Sequence, residues 1–210
     1  MKLVEETSQI YNINLIVKDY IRTLKLPSEK SKKPIAILLV GIPASGKSYL
    51  AQNLASTLPI VLLSENDIQS FLVPKISFFE RGQDVITQFS KEVVKTLVKV
   101  GFSCILDANL RTSKTRLEFR QEVEKLDGLA IIIYLNCPKK VAFERIRKRN
   151  SEIVTGESEG FVMDWDYFEY EINTTQPPIR TERAITFDSS KPNHQFEKIV
   201  QYLKKKNGVK

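Results

Sequence analysis

Ile35-Ala-Ile-Leu-Leu-Val-Gly-Ile-Pro-Ala-Ser-Gly-Lys-Ser48 is the stretch whose reading decides the fold. The apolar run Ile35–Val40 suits a short strand buried on both faces. Gly41, Gly46, Lys47 and Ser48 then satisfy the pattern G-x-x-x-x-G-K-[ST]. A triphosphate needs many donors close to its oxygens, so the backbone itself must approach, and glycines permit the dihedrals that this requires. The loop N–H groups form an anion nest, backed by the positive end of the following helix. The expected nucleotide-binding residues are Gly41, Ile42, Pro43, Ala44, Ser45, Gly46, Lys47, Ser48 and Tyr49. Lys47 is expected on the β- and γ-phosphates, and Ser48 on Mg²⁺. The triphosphate is ATP, with GTP as the alternative. A helix from Lys47 to about Thr57 is expected after the loop.

Outward from this stretch, apolar runs alternate with helical periodicity. Strands are expected at Ile60–Leu63, Phe102–Leu106, Leu129–Leu135 and Ala184–Phe187. Helices are expected at Asp67–Leu72, over Ile86 to Val100, after Ser113, from Pro138 to about Asn150, and after Asn193 as a cap. Strands alternating with helices mean βαβ units and a parallel sheet between helix layers. Residues 1–34 read as an N-terminal extension, a helix over about 6–25 followed by the polar linker Pro27–Pro34. Residues 35–210 then form the motif-bearing domain.

Bulk properties narrow the class. The chain has 210 residues, enough for one α/β domain with a sizeable core. A net charge of +7 suits partners that are anions, or is simply a solvated basic surface. Two cysteines, Cys104 and Cys137, lie in or beside apolar runs and read as buried thiols. A single histidine, His194, excludes a His-based metal site. No membrane partner is expected, the expected location is the cytoplasm, and the oligomeric state stays open.

Transfer of a phosphoryl group needs more than a phosphate loop: a metal-organising acid, a group for the acceptor, and cations for the developing charge. Asp107, at the end of the third strand, is the expected second metal residue. It stands on the carboxyl-end rim where ligands of open α/β sheets bind. Asp67 stands on the same rim after the second strand, facing an acceptor hydroxyl or capping a short helix. Glu65 is the neighbouring alternative. Arg145 and Arg149, four residues apart, share one helix face, and Asn150–Gly160 reads as a lid that would close them over the phosphates. The aromatic run Phe161–Phe168 packs a helix on the core or stacks a ligand.

The phosphate loop, Asp107-Ala-Asn-Leu-Arg111 and Glu144-Arg-Ile-Arg-Lys-Arg149 together resemble small P-loop kinases, in particular the AAA-domain-like kinase group that includes polynucleotide 5′-hydroxyl kinases. The resemblance covers roughly residues 35 to 190. It implies a P-loop NTPase three-layer α/β sandwich with a five-stranded parallel sheet, the strand at 35–40 lying between those at 102–106 and 129–135. It implies transfer of the ATP γ-phosphoryl group to a hydroxyl of a small molecule or a nucleic-acid end. It puts Asn109 and Arg111 in the acceptor site and Arg149 at the lid. Two positions depart from the group: Asn66 and Gln69 stand where many members have an Asp-x-x-Arg pair, and Ile153 stands near the place of a second lid arginine. Two other functions stay open, a nucleotide hydrolase and a non-catalytic nucleotide-binding module.

Overall fold

The computed structural model describes residues 13–73, 82–158, 162–189 and 192–207. The first helix is α1 (Ile13–Thr23), and the motif strand is β1 (Ile35–Val40). Then come α2 (Lys47–Thr57), β2 (Val61–Ser64), α3 (Glu65–Leu72), α4 (Gly82–Lys99), β3 (Cys104–Asp107) and α5 (Ser113–Glu124). The chain closes with β4 (Leu129–Asn136), α6 (Lys139–Val154), α7 (Trp165–Thr174), a 3-10 turn (Arg180–Glu182), β5 (Ile185–Asp188) and α8 (Pro192–Asn207).

The sheet is five-stranded, in the order β2-β3-β1-β4-β5, and every pairing is parallel. β1 is therefore central between β3 and β4, as the resemblance implies. Its side chains alternate between two apolar layers. Ala36, Leu38 and Val40 join α1, α3, α4 and α5 on one face. Ile35, Ile37 and Leu39 join α2 and α8 on the other. All six residues of β1 are buried, which explains the unbroken apolar run. A third cluster, with Cys137, Ala142, Ile146 and Phe168, packs α6 and α7 against Ile42 and Ala44 of the loop.

Each strand after β1 ends one residue later than expected, and three helix boundaries also shift. α3 begins at Glu65, because Ser64 rather than Asp67 supplies the cap: its hydroxyl accepts from the Asp67 N–H at 3.4 Å. α6 runs past Asn150 to Val154, so the first turn of the expected lid is helix. α8 begins at Pro192, one residue before the expected cap Asn193. The expected helix residues 6–12 and the end of the lid, residues 159–160, lie outside the described residues, as does the His194 side chain.

α1 is built into the core. Val17 and Tyr20 are each 2 % exposed. The Tyr20 ring meets Phe71 of α3 and Phe89 of α4 at centroid distances of 5.0 and 5.7 Å. Cys104 and Cys137 are buried and free, and burial pushes the Cys104 thiol up to about 12. Among the described residues, no helix is long and apolar enough to cross a membrane.

Candidate functional site

The phosphate loop needs glycine at both ends. Gly41 has φ 158, and a Cβ there would stand 2.7 Å from Ser45 Oγ and 2.9 Å from the Leu135 carbonyl oxygen. Gly46, at φ 100, precedes α2 as its N-cap. Between them Ala44 also has positive φ, 57°, a conformation that costs an alanine about 1–2 kcal/mol. Something must hold it there, and Arg145 does. From α6 its Nη1 donates to the Ala44 carbonyl at 3.1 Å, and its Nη2 donates to the Ser189 carbonyl, after β5, at 3.0 Å. Arg145 thus clamps the loop to the far edge of the sheet.

Lys47 turns back over the loop, donating to the Gly41 and Ile42 carbonyls at 2.8 and 3.2 Å. Burial lowers its pKa, against the opposing charges of Asp107, Glu171 and Glu65. Ser48 lies beside the Asp107 carboxylate. Burial raises the Asp107 pKa; Ser48 and Lys47 pull it down, while Glu65 and Asp67 push it further up. A hydroxyl and a carboxylate are the hard oxygen ligands that suit Mg²⁺. Among the described residues there is no larger cluster of acids, thiols or imidazoles that would hold a metal alone. Ser45 is fully buried and its hydroxyl lacks a hydrogen-bond partner. Tyr49, on the first turn of α2, is 66 % exposed.

Parallel pairing of β2 with β3 sets Ser64 beside Asp107, so the start of α3 lies on the same rim. Because α3 starts at Glu65, this side chain faces the β3–α5 loop. Its Oε2 accepts from the Asn109 backbone N–H at 2.7 Å, and its Oε1 accepts from the Gln83 side chain. Asp67, two residues on, is exposed. Its charge is nevertheless felt at Asp107 and at Tyr20.

Glu171 completes the rim and is absent from the sequence reading. It sits on α7, 1 % exposed. It accepts from the Asn109 side-chain amide, and its Oε1 lies 2.6 Å from Arg111 Nη2. The Arg111 guanidinium also lies over the Tyr170 ring, 5.5 Å from the centroid. Tyr167 lies near Glu171, and burial together with that carboxylate raises its pKa. Arg111 and Asn109 are thus one unit with α7. A second buried pair fixes the same loop from behind. Arg116, fully buried, meets Glu182 in a bidentate contact at 2.6 and 2.9 Å. Its Nη1 donates to the Leu110 carbonyl at 2.9 Å.

Seven candidate positions, Lys47, Ser48, Glu65, Asp67, Asp107, Asn109 and Arg111, come together on the carboxyl-end rim of the sheet. Arg145 reaches the loop from α6. Arg149 is exposed and no contact ties it to the loop. Asn150 closes the segment that follows: its amide donates to the Met163 carbonyl at 2.7 Å and accepts from the Met163 N–H at 3.1 Å. The signal for Glu171 lies in its spacing from Phe168 on one helical face; nothing nearby in the sequence marks that face as turned to Arg111.

A family model described as an AAA domain matches residues 37–159, more than half of the chain. Among solved structures, Chaetomium thermophilum Kti12 in complex with ADP-AlF3 superposes with a TM-score of 0.67 at 16% identity, over 82% of this chain and 98% of that one. A sugar kinase from Janibacter sp. gives 0.61 at 16% identity, over 84% and 98%. The Mycobacterium tuberculosis APS kinase in complex with AMPPNP and APS gives 0.61 at 15% identity, over 82% and 98%. These likenesses establish a P-loop kinase-like fold.

Proposed function

The chain belongs to this AAA domain family, and on that premise we propose that it is an ATP-dependent phosphotransferase acting on a hydroxyl acceptor. One observation carries the reading. The hydroxyl on the first turn of α2 and the carboxylate that ends β3 stand side by side within the electrostatic reach of Lys47. A loop that only holds phosphate does not require that junction, whereas metal-dependent phosphoryl chemistry does, with a hydroxyl or water as the acceptor.

In this reading Gly41 to Tyr49 cradle the triphosphate, and Lys47 exchanges its loop carbonyls for phosphate oxygens. Ser48 and Asp107 would hold Mg²⁺, which supplies charge neutralisation on the phosphates. Asp67 orients the acceptor hydroxyl and takes its proton, with Asn109 and Arg111 lining the acceptor side. Arg145 keeps the loop in its αL conformation, and Arg149 closes with the α6–α7 segment to offset charge on the transferring group. ATP with γ-labelled phosphate, Mg²⁺ and a panel of hydroxyl compounds tests the proposal. Label on an acceptor supports it. Label released only as inorganic phosphate favours a hydrolase, and bound ATP with no turnover favours a binding module.

A further inference from the structure

The acceptor side of the rim is unusually negative for a chain of net charge +7. Glu65, Asp67 and Glu171 surround it, with Asp107 at the metal junction. The cations there are already engaged. Lys47 belongs to the phosphates, Arg111 is paired with Glu171, and Arg145 is bound to two backbone carbonyls. Glu171 is matched by Arg111, so the uncompensated negative charge on this side is that of Glu65 and Asp67. A polyanion would meet like charge on entry, whereas a cation would gain.

The shape of the wall points the same way. Tyr167 and Tyr170 are 41 and 54 % exposed, and their rings lie 6.4 Å apart. Tyr170 already carries one cation on its face, that of Arg111. Aromatic faces beside carboxylates are how proteins recognise ammonium groups. Glu65 accepts two hydrogen bonds, from the Asn109 amide and Gln83. An ionised carboxylate has about four acceptor positions, so Glu65 retains capacity for a third donor.

We propose that the acceptor is a hydroxyl compound bearing a protonated amine, its ammonium held by Glu65 against the tyrosine wall and its hydroxyl turned to Asp67. The inference rests on the phosphotransferase reading and separates the two acceptor classes: an amino alcohol enters this rim, and a nucleic-acid end does not. Glu171 acts as a positioning residue, fixing Asn109 and Arg111.

The test is label transfer from ATP to four matched probe classes: amino sugars and aminocyclitols, their neutral parents, sugar phosphates, and 5′-hydroxyl oligonucleotides. The amino compounds are expected to lead their neutral parents by about tenfold or more in kcat/KM, the size of one charge-assisted contact. That lead should shrink as pH rises through the amine's own pKa, and should collapse in Glu65→Gln through KM rather than kcat. Preferential label on neutral parents, sugar phosphates or oligonucleotides overturns this inference and leaves the phosphotransferase standing. No label on any class, with ATP bound, removes both.

Discussion

Ser48, on the first turn of α2, stands beside the Asp107 carboxylate at the end of β3 and lowers its pKa. The two residues are far apart in sequence and meet because β3 lies directly beside β1 in the sheet. The burial of Asp107 has a cost that this contact only partly offsets. Burial raises the Asp107 pKa, so holding the charged form at neutral pH works against folding.

Asp107→Asn should therefore leave the protein as stable at neutral pH as the wild type, or more so. Turnover should fall by about a hundredfold or more through loss of a preorganised charge at the reacting phosphates. Thermal unfolding and steady-state rates, measured on the same preparation, check both halves. The wild-type rate should also fall on acidification, as Asp107 takes up a proton above the ordinary carboxylate range.

Arg116 and Glu182 predict the opposite pattern, a structural pair without chemistry. Burial pushes Glu182 up, but Arg116, the Ile179 N–H and Ser113 more than offset it, so its pKa lies below the usual value. Its contribution is complete above the unfolded-state pKa and is lost as pH falls through the folded one. Arg116→Met should destabilise by about 3–5 kcal/mol, because it leaves a buried carboxylate unpaired. Adding Glu182→Leu should recover much of that loss. Denaturant titrations at neutral pH measure the difference.

Some of this was legible in the sequence and some was not. The strand at Ile35–Val40 and the loop after it could be read locally, since an unbroken apolar run and glycines at fixed spacing have few other uses. Asp107 could be read because it ends such a run. The start of α3 could not, since Ser64, Asp67 and the residues between all suit a helix N-terminus, and the cap decides which carboxylate faces Asn109. Glu171 was hidden for a different reason. Its helix carries aromatic and acidic residues in close alternation, and its burial follows from Asn109 and Arg111, about sixty positions away. Arg116 reads as a surface residue on a polar helix until Glu182 is found beside it.

The two arginines of α6 should separate by kinetics. Arg145→Ala frees the Ala44 and Ser189 carbonyls and lets the loop relax. KM for ATP should rise by about tenfold or more, the worth of a charge-assisted hydrogen bond. Arg149 is exposed and makes no ion pair among the described residues, so in Arg149→Ala the melting temperature should stay the same while kcat falls. Initial-rate measurements across ATP concentrations distinguish these effects.

Asp67→Asn isolates the acceptor base. The side chain is exposed and does not cap α3, so stability should change by only about 0.5 kcal/mol or less. Turnover should drop well beyond any change in ATP affinity, with a residual rate, since phosphoryl transfer is loose and the base mostly orients. A parallel Glu65→Gln preparation with a rate loss larger than that of Asp67→Asn would move the role to Glu65.

The most direct measurement is single-turnover transfer of the γ-phosphoryl group from Mg²⁺-ATP to a hydroxyl acceptor, followed by rapid quench in the wild type and in Lys47→Ala. Lys47 donates to two loop carbonyls and belongs to none of the three apolar clusters, so the variant should fold normally. The wild type should pass label to the acceptor, and the variant should be slower by about a hundredfold or more, the loss of a few kcal/mol of transition-state stabilisation. Equal rates in the two proteins would contradict a transfer reaction run by this loop.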